Sequence, residues 1–544
     1  MPLTVTPHRV FAAAAATLLL ATIACSAPAA GPAATSAPAG SAADSGPVTP
    51  KVNRLVFATE PPSKEMNETR HNSTPSAWQL MPMYETLIGI DATTGQRTPA
   101  LATAWSIEPD GIAYRFKLRK GVQFHNNFGE FTANDLIQPW KEILKPNSIS
   151  GVNVGWRDFL KDIEVVNDYE AIYHLKRPDA NFLDYASDQQ EGYEIWSKKA
   201  FDQSGPPTNL TLPPLADTGP YAFKERAQSQ YVRFVRPAFK HWHVTPDFPE
   251  FEFRWIKEAS TRLAALLSGE VQVATLPQDL ELQAEKQGFK PVAGKVPGYR
   301  VFAQFYCCQY NDPTNFASGY MQGGGALADV AVRKALSKAV NRDAINKAFF
   351  GGKGILLYNN PMEPSRRGWK DEWKNRFQGE YGYDPEAAKQ ILGTAGYGPS
   401  NPVKFTMLIT TATGLSAADD IAESLAGYFR NVGVEVTLQN IDSVSFSTQG
   451  RAFKLLNNMR VNGTSSNQWV GVTQFGSTLG TRNGAGPELG DVDEILKGLY
   501  NTLDEKKIDE IWSRAGDAVF ANHKYVPLFW LPTEASVNPK IVGD

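Results

Sequence analysis

Residues 217–275 constrain the fold more than any other stretch of the chain, because they specify an ordered series of elements. A Thr-Gly-Pro turn at 218–220 leads into two strands. In the second, Tyr231–Arg236, successive side chains alternate in character, which is typical of a strand whose two faces have different surroundings. A third strand follows, and then a helix that Ser260 caps and Gly269 ends. The helix runs directly into a fourth strand, and its apolar side is formed by Leu263, Leu266 and Leu267. The order predicts an α/β fold.

The first 25 residues indicate export rather than a folded element. An apolar run from Val10 to Ile23 follows two basic residues and is short for a membrane span. It ends at Cys25 after a small residue, which resembles the lipobox of bacterial lipoproteins, although Thr22 replaces the usual leucine. The resemblance implies that Cys25 becomes a lipid anchor. A plain secretory signal with an incidental cysteine is the alternative.

Residues 26–50 consist almost entirely of Ala, Pro, Gly, Ser and Thr. Such a segment lacks the bulky apolar side chains that offset the entropy of ordering a chain, so we expect a disordered tether. A tether behind an anchor implies a domain that reaches away from the membrane.

The composition limits the function classes. The net charge is −3, and no broad basic field is present to hold nucleic acid. The length suggests about two to four domains. Three cysteines, one of them in the signal, provide no disulfide framework. Cys307 and Cys308 are adjacent on a strand-like run, Val301–Tyr310, and therefore point to opposite faces. Two separate thiols are the simpler state, and a strained vicinal disulfide is the alternative.

Motifs for catalysis and cofactor binding are missing from the sequence. It contains no G-x-S-x-G elbow, no H-E-x-x-H, no Walker loop and no G-x-G-x-x-G after a strand. His241 and His243 would face the same side of a strand, but further metal ligands are not visible beside them. A surface aromatic loop is the simpler interpretation. The glycines at 323–325 indicate a connector. We therefore expect no enzyme activity, no cofactor and no metal site.

Two helices later in the chain carry recognisable start and stop signals. Asp329 can cap the first, which we expect to continue until Gly351 stops it. Asp384 can cap the second, with Pro385 at its first position and Gly396 at its end. The apolar stripe of the first consists of Val332, Ala335, Leu336, Ala339 and Val340. In the N-terminal half, Thr132 and Asp135 are spaced as a capping box.

Motifs along most of the chain resemble those of one family. They are YETLI at 84–88, LATAW at 101–105, YRFKLRKGVQF at 114–124, FTAND at 131–135, TGPY at 218–221, ASTRLAAL at 259–266, SGEV at 268–271, VRKAL at 332–336, YDPE at 383–386 and VGVEV at 432–436. In this order they resemble the family 5 extracellular solute-binding proteins, which are the peptide, dipeptide, oligopeptide and nickel receptors of ABC importers. The resemblance covers nearly everything from Arg54 to Leu531.

The resemblance implies a type II-like periplasmic binding protein fold of cluster C, with two lobes around a ligand cleft and a small inserted domain. Mapped onto this chain, lobe I comprises 51–99, 206–298 and 506–544. The inserted domain comprises 100–205, and lobe II comprises 299–505. The lobes are expected to close about a hinge when a solute binds.

The resemblance also implies where a ligand is held. In the peptide-binding relatives, a G-W-x-x-D element supplies the carboxylate that pairs with the ammonium group of the ligand. The matching residues here are Gly463, Thr464 and Asn467, so an amide stands at the acidic position and Thr464 at the tryptophan position. A neutral amide pairs poorly with a buried ammonium group, which puts ordinary free-amine peptides in doubt unless Glu85 substitutes. A loop residue that bonds its own backbone is the alternative for Asn467.

The remaining cleft candidates are aromatic or polar residues near the expected lobe edges: Tyr84, Glu85, Tyr310, Asn311 and Trp469. A core position is the alternative for Tyr84 and Trp469. An aromatic wall with a few fixed polar groups is typical of small-molecule clefts.

The function that the resemblance implies is that of a substrate-binding lipoprotein. It would capture a small solute, most often a peptide or oligopeptide, and deliver it to a permease with its ATPase as separate chains. It would act as a monomer on the outer face of the cytoplasmic membrane or in the periplasmic space. The alternatives are a receptor for an oligosaccharide, an opine or a nickel chelate, a sensor that presents its ligand to a signalling receptor, and a secreted hydrolase.

Overall fold

The computed structural model describes residues 51–62, 64–67, 71–72, 78–146, 148–150, 153–188, 194–307, 325–410, 415, 417–452, 454–465 and 490–542. The strands are β1 Arg54–Thr59, β2 His71–Asn72, β3 Ile88–Ile90, β4 Arg97–Pro99, β5 Ala102–Ile107, β6 Ala113–Leu118, β7 Ile149–Ser150, β8 Leu160–Asn167, β9 Glu170–Leu175, β10 Ala222–Ala227, β11 Tyr231–Val235, β12 Glu250–Trp255, β13 Val273–Ala274, β14 Lys290–Ala293, β15 Tyr299–Tyr306, β16 Ile355–Leu356, β17 Lys404–Ile409, β18 Glu435–Asn440, β19 Asn458–Ser465, β20 Tyr525–Leu531 and β21 Glu534–Val537.

Helices cover the sheets formed by these strands. They are α1 Ile137–Leu144, α2 Asn153–Phe159, α3 Phe182–Tyr185, α4 Lys198–Ser204, α5 Ala259–Ser268, α6 Gln278–Lys286, α7 Val330–Lys338, α8 Arg342–Phe350, α9 Asp371–Tyr381, α10 Pro385–Thr394, α11 Ala418–Asn431, α12 Ser443–Arg451, α13 Gly490–Leu496 and α14 Glu505–Ala521. Within the described ranges, no helix is both long enough and apolar enough to cross a membrane.

Lobe I is built on a seven-stranded sheet with the order β10-β11-β12-β1-β13-β21-β14. The central strand β1 pairs in parallel with β12 and β13, so segments distant in sequence meet in one layer. One face of the sheet packs an aromatic core against the short 3-10 helix Trp78–Met83. The other face packs against α5 and α6.

The order of elements predicted for 217–275 is confirmed, with three strands, helix α5 and then β13. Gly269 ends α5 in the left-handed conformation at φ 81°, as predicted. The expected cap is wrong, because α5 begins at Ala259 after Glu258, which places Ser260 inside the helix. Leu267 is 43% exposed, so the apolar side of the helix is narrower than expected.

The inserted domain is a four-stranded sheet with the order β5-β6-β9-β8, covered by α1, α2 and α3. Its core is mainly aromatic, and Trp156 and Phe159 pack around Phe182. Leu87 and Ile88 already belong to this core, so the domain begins before residue 100. The predicted capping box is confirmed by a hydrogen bond from the Thr132 amide to Asp135 Oδ2 at 2.9 Å.

Lobe II is built on a six-stranded sheet with the order β16-β20-β15-β19-β17-β18. One face of β15 packs against α7, α8 and α11, and the other packs against α9, α13 and α14. The single helical run expected to reach Gly351 is two helices, because the first ends at Lys338 and Asn341 caps α8 by accepting from the Ala344 amide at 3.0 Å. The caps at Asp329 and Asp384 are confirmed.

The structure corrects one lobe boundary. The segment 506–544 was expected in lobe I, but β20 pairs with β15 and β16 in the lobe II sheet, and α14 packs on the same sheet. All of β20 except Leu531 is buried, which requires an interior position in a covered sheet. The chain returns to lobe I only with β21. The third segment of lobe I therefore starts after Leu531.

Candidate functional site

Two short chain crossings join the lobes side by side. One leads from β14 to β15, and the other leads from β20 to β21. The Gly294 amide donates to the Thr533 carbonyl at 3.0 Å, and the Gly298 amide donates to the Leu531 carbonyl at 3.2 Å. Each crossing is only a few residues long, so changes in a few backbone torsions there would reorient one lobe against the other. The two crossings are therefore the part of the structure where the expected hinge would lie.

The lobe II wall beside the hinge is the end of β19, where two predicted ligand residues lie. Gly463 pairs with Val301 and Thr464 with Arg300 across the β15–β19 ladder. The Tyr299 ring lies across Gly463, since a Cβ at this glycine would be 2.5 Å from ring atoms of Tyr299. Burial raises the pKa of Tyr299 above its ordinary range. Because Gly463 has no side chain, the half-buried Tyr299 ring can lie next to Thr464.

Glu85 projects from lobe I, directly after the Trp78–Met83 helix, and its carboxylate has several internal partners. Trp242 Nε1 donates to both carboxylate oxygens at 3.0 Å, and Thr218 Oγ1 donates to Oε2 at 2.7 Å. His241 Nε2 lies 3.3 Å from Oε1, and the Arg119 guanidinium stacks 3.9 Å from the Trp242 ring. These contacts tie three segments together. A direct contact between Glu85 and a ligand stays a prediction.

Tyr84 packs against the aromatic core of lobe I. Burial raises the pKa of its phenol well above the ordinary value, and the nearby Glu194 and Asp217 carboxyls raise it further. Its hydroxyl is buried and has no hydrogen-bond partner among the described residues. Tyr84 therefore packs mainly as a core residue, which was the alternative to a ligand contact. Its role toward a ligand stays a prediction.

Asp217 holds the turn that supports Glu85. Its Oδ1 accepts from the Thr218 amide at 2.5 Å and from the Glu85 amide at 3.3 Å. Burial raises the pKa of this carboxyl well above its usual range, and the Glu85 charge adds to the effect. The Gly219 carbonyl lies 2.8 Å from His125 Nε2. Burial lowers the pKa of His125 to about 4, so its ring is neutral at physiological pH.

The paired histidines lie in a loop, as the sequence suggested, but only one of them is exposed. His241 is buried, and its Nδ1 accepts from the Val244 amide at 3.1 Å. His243 is exposed, and partial desolvation together with the neighbouring His241 lowers the pKa of its imidazole. Nowhere in the described ranges do three or more His, Cys, Asp or Glu side chains come together as a metal site. His241, whose Nε2 is 3.3 Å from Glu85 Oε1, therefore belongs to the network that holds Glu85.

Several predicted positions lie outside the described residues. They are Cys25, Cys308, Tyr310, Asn311, Asn467 and Trp469. The neighbouring Cys307 is buried in the lobe II core. The structure thus brings Gly463 and Thr464 together on one wall, and it brings Tyr84 and Glu85 together on lobe I.

Sequence reasoning missed a row of buried polar side chains on one face of β15 and β19, which we call the polar strip: Arg300, Gln304, Arg460 and Asn462. They are at most 5% exposed, and Asn462 Nδ2 donates to Gln304 Oε1 at 2.8 Å. The Arg460 guanidinium lies 4.2 Å from the Phe446 ring centroid. Part of the signal was present, because polar residues occupy every second position of β19, whereas in β15 Phe302 separates Arg300 from Gln304.

The chain is similar in sequence to known solute-binding proteins. The model of the family "Bacterial extracellular solute-binding proteins, family 5 Middle" matches residues 96–481, which is well over half of the chain. The dipeptide-binding protein of Escherichia coli (strain K12) is 28% identical over 379 residues, an alignment that covers 66% of each chain.

Two solved structures show the same fold. The periplasmic binding protein DppA from Helicobacter pylori, in complex with the peptide STSA, has a TM-score of 0.69 and 21% identity, covering 90% of this chain and 94% of that one. NikA from Brucella suis, in complex with Fe(III)-EDTA, has a TM-score of 0.72 and 20% identity, covering 90% of this chain and 96% of that one. The fold thus occurs with both a peptide and a metal chelate as ligand.

Proposed function

The chain belongs to the bacterial extracellular solute-binding proteins of family 5, and from this membership we propose that it is the substrate-binding component of an ABC importer. It captures a small, peptide-like solute and delivers it to a permease that works with an ATPase on separate chains. The observation that carries the proposal is the pair of short, adjacent crossings between two separate sheets. Such a connection lets two lobes open and close on a solute without making or breaking a bond, so we propose no enzyme activity.

The cellular setting follows from the N-terminal sequence. We propose that Cys25 carries the lipid anchor and that the monomer is held at the outer face of the cytoplasmic membrane. Two or more acyl chains would hold it stably there, at ~0.8 kcal/mol per buried methylene. The segment 26–50 would then give the lobes room to meet the permease.

A non-peptide solute is the second candidate, favoured by the likeness to the NikA complex with a metal chelate. Oligosaccharides and opines belong to the same group of alternatives, since the fold does not fix the ligand. A sensor protein would share every feature described here. Permease and ATPase genes beside this gene would favour import over sensing.

A thermal-shift screen of the purified protein tests the binding function. We expect short peptides to raise the unfolding midpoint by several degrees, because a ligand that binds only the folded state stabilises it. Sugars and metal chelates form the comparison arms, and nickel ion alone is expected to give no large shift. Stabilisation by a sugar or a chelate but by no peptide would replace the peptide proposal with the second candidate. Turnover of any of these compounds would contradict a purely binding role.

The substitution Asn467→Asp tests the sequence-based ligand position. We expect tighter binding of free-amine peptides, by roughly tenfold, because a carboxylate pairs with a buried ammonium group better than an amide does. Isothermal titration calorimetry with a peptide and its N-acetylated form measures the effect, and the acetylated form should not gain. Unchanged or weaker binding of the free amine would contradict the assignment of Asn467.

A further inference from the structure

Lys353 on lobe II reaches across to lobe I beside the hinge. It lies in the turn between α8 and β16, and its Nζ is 2.6 Å from Glu281 Oε2. The same Nζ is 3.4 Å from Glu285 Oε1 and 3.4 Å from Glu534 Oε2. Glu281 and Glu285 belong to α6, and Glu534 begins β21, so lobe I carries all three carboxylates. We call these three glutamates the acidic socket.

The acidic socket brings three carboxylates to one ammonium group. Glu281 is 3% exposed, and the Lys353 side chain is 27% exposed. Burial raises the pKa of Glu281, and the Glu534 charge adds to the rise, whereas Lys353 opposes it. A buried carboxylate that loses its counter-charge is costly, so Glu281 favours those arrangements of the lobes that keep Lys353 against it.

The backbone around Lys353 is shaped for this close approach. Gly351 ends α8 in the left-handed conformation at φ 57°. A Cβ at this position would be 2.9 Å from Nε2 of Gln278, the first residue of α6. Because Gly351 has no side chain, the turn that carries Lys353 can approach α6 closely enough for the ammonium group to enter the acidic socket.

The acidic socket is also part of one of the two hinge crossings. Glu534 follows Thr533, whose carbonyl accepts from the Gly294 amide of the other crossing at 3.0 Å. Lys353 lies two residues before β16, which pairs with β20, the strand that leads into the crossing of Glu534. A rotation of the lobes about the crossings would therefore move Lys353 relative to the acidic socket.

Lobe II also touches the inserted domain, away from the hinge. The Ala180 amide donates to the Leu499 carbonyl at 3.2 Å. The Arg177 guanidinium lies 4.0 Å from the Tyr500 ring centroid. These contacts describe a closed arrangement, because opening the lobes would separate the two surfaces. Lys353 occupies the acidic socket in this closed arrangement.

We propose that Lys353 and the acidic socket form an ionic strap that holds the lobes closed and sets how easily they open. The proposal rests on the lobe motion of the proposed function and is independent of the solute. Opening would separate a positive charge on lobe II from a buried negative charge on lobe I. A bound solute would then add its contacts to an arrangement that the protein already favours.

Hydrogen exchange of the ligand-free protein, measured by mass spectrometry, tests the strap in Lys353→Met. This variant keeps a side chain of similar length and removes its charge. The Gly294 and Gly298 amides form hydrogen bonds between the crossings, so their exchange reports opening there. We expect peptides that contain them to exchange at least about tenfold faster in the variant, because hydrogen bonds to charged groups are the strong ones. Peptides from β9 in the inserted domain should exchange at the wild-type rate.

Lys334→Met is the matched control. Lys334 Nζ is also 2.6 Å from a carboxylate oxygen, that of Glu380, and its side chain is 33% exposed. Both residues of this pair lie in lobe II, so its loss should leave exchange at the crossings unchanged. No rise in Lys353→Met, or an equal rise in both variants, would overturn the strap. An equal rise in β9 would show a loss of overall stability and would overturn it as well.

Glu281→Gln and its combination with Lys353→Met test the pairing itself. Each single variant removes one charge of the pair, so each should speed exchange at the crossings. The double variant should exchange no faster than the faster single variant, because the contact is already lost. Additive effects would mean that the two residues act independently, which is incompatible with a strap.

Small-angle X-ray scattering of the same ligand-free proteins measures opening as a change in shape. The radius of gyration should be larger for Lys353→Met than for the wild type and for Lys334→Met. An equal or smaller radius would overturn the strap. Neither measurement uses a ligand, so a protein that binds no peptide would contradict the proposed function and leave the strap standing. Loss of the strap with peptide binding intact would leave the proposed function standing.

Discussion

Gly219→Ala is expected to lower the free energy of unfolding by about 3 kcal/mol, at the upper end of the usual cost of overpacking. A Cβ at this position would lie 2.5 Å from the carbonyl carbon of Met83 and 2.6 Å from its oxygen. These are backbone atoms that cannot rotate away, and the Gly219 amide donates to the same carbonyl at 3.0 Å. Relief of the clash would separate the 218–220 turn from the segment that carries Glu85. Urea unfolding followed by tryptophan fluorescence measures the loss.

Gly427→Ala is the matched control for this substitution. Gly427 lies inside helix α11, and a Cβ there would meet nothing within 4 Å. Alanine in a helix interior is better than glycine by roughly 0.5–1 kcal/mol, so this variant should gain stability. Equal stability of Gly219→Ala and the wild type would show that the turn does not need its close approach to Met83. Glu85 would then be positioned by Trp242 and Thr218 alone.

The sequence predicted local structure well where the signals are short-range. The caps at Asp329 and Asp384 and the box at Thr132 were confirmed, because each depends on residues within one turn of helix. The strand Tyr231–Val235 was confirmed because alternation is a property of the strand itself. The cap at Ser260 was wrong, because the N-cap is Glu258, two residues earlier, and α5 starts there without a hydrogen bond from a capping side chain.

Long-range features were beyond such reasoning. Strand β20 lies next to β15 although more than 200 residues separate them, and local signals did not place the lobe boundary after it. Glu85 was predicted as a carboxylate that could pair with a ligand, and its internal donor Trp242, 157 residues away in sequence, was not foreseen. The cationic character of the polar strip is likewise visible only when β15 and β19 are paired.

These long-range features divide the candidate site by role. On lobe I, Glu85 and Asp217 make hydrogen bonds to the protein itself, which suits a rigid wall. On lobe II, Arg300 is fully buried, and its Nε and Nη2 have no hydrogen-bond partner among the described residues.

His523→Asn is expected to abolish a loss of stability that the wild type suffers on acidification. His523 is buried, and burial together with the Lys334 charge lowers the pKa of its imidazole to about 3. The groups that face it are Lys334, Arg333, Arg342, Glu380 and Tyr381. Its backbone has φ 44°, a conformation that asparagine tolerates better than most residues, so the variant should fold.

The direction of the effect follows from the two protonation states. In the unfolded chain the histidine takes up a proton near pH 6.5, whereas the folded protein excludes it until about pH 3. Above pH 6.5 both states are neutral and the group contributes nothing to the pH dependence. Between pH 6.5 and 3 only the unfolded state gains the proton, so stability falls as the pH falls. From pH 7.5 to 4.5 this amounts to about 2–3 kcal/mol.

The measurement is the difference in unfolding free energy between wild type and His523→Asn at pH 7.5 and at pH 4.5. The difference is needed because burial raises the pKa of Asp188 and of Asp217. These carboxyls stabilise both proteins on acidification, so they would hide the effect of the histidine in a measurement on the wild type alone. At pH 7.5 the difference contains only the lost packing against Tyr381. It should move in favour of the variant by about 2–3 kcal/mol at pH 4.5. A difference that does not change with pH would mean that His523 accepts a proton in the folded state, with Glu380 as its partner at 3.8 Å.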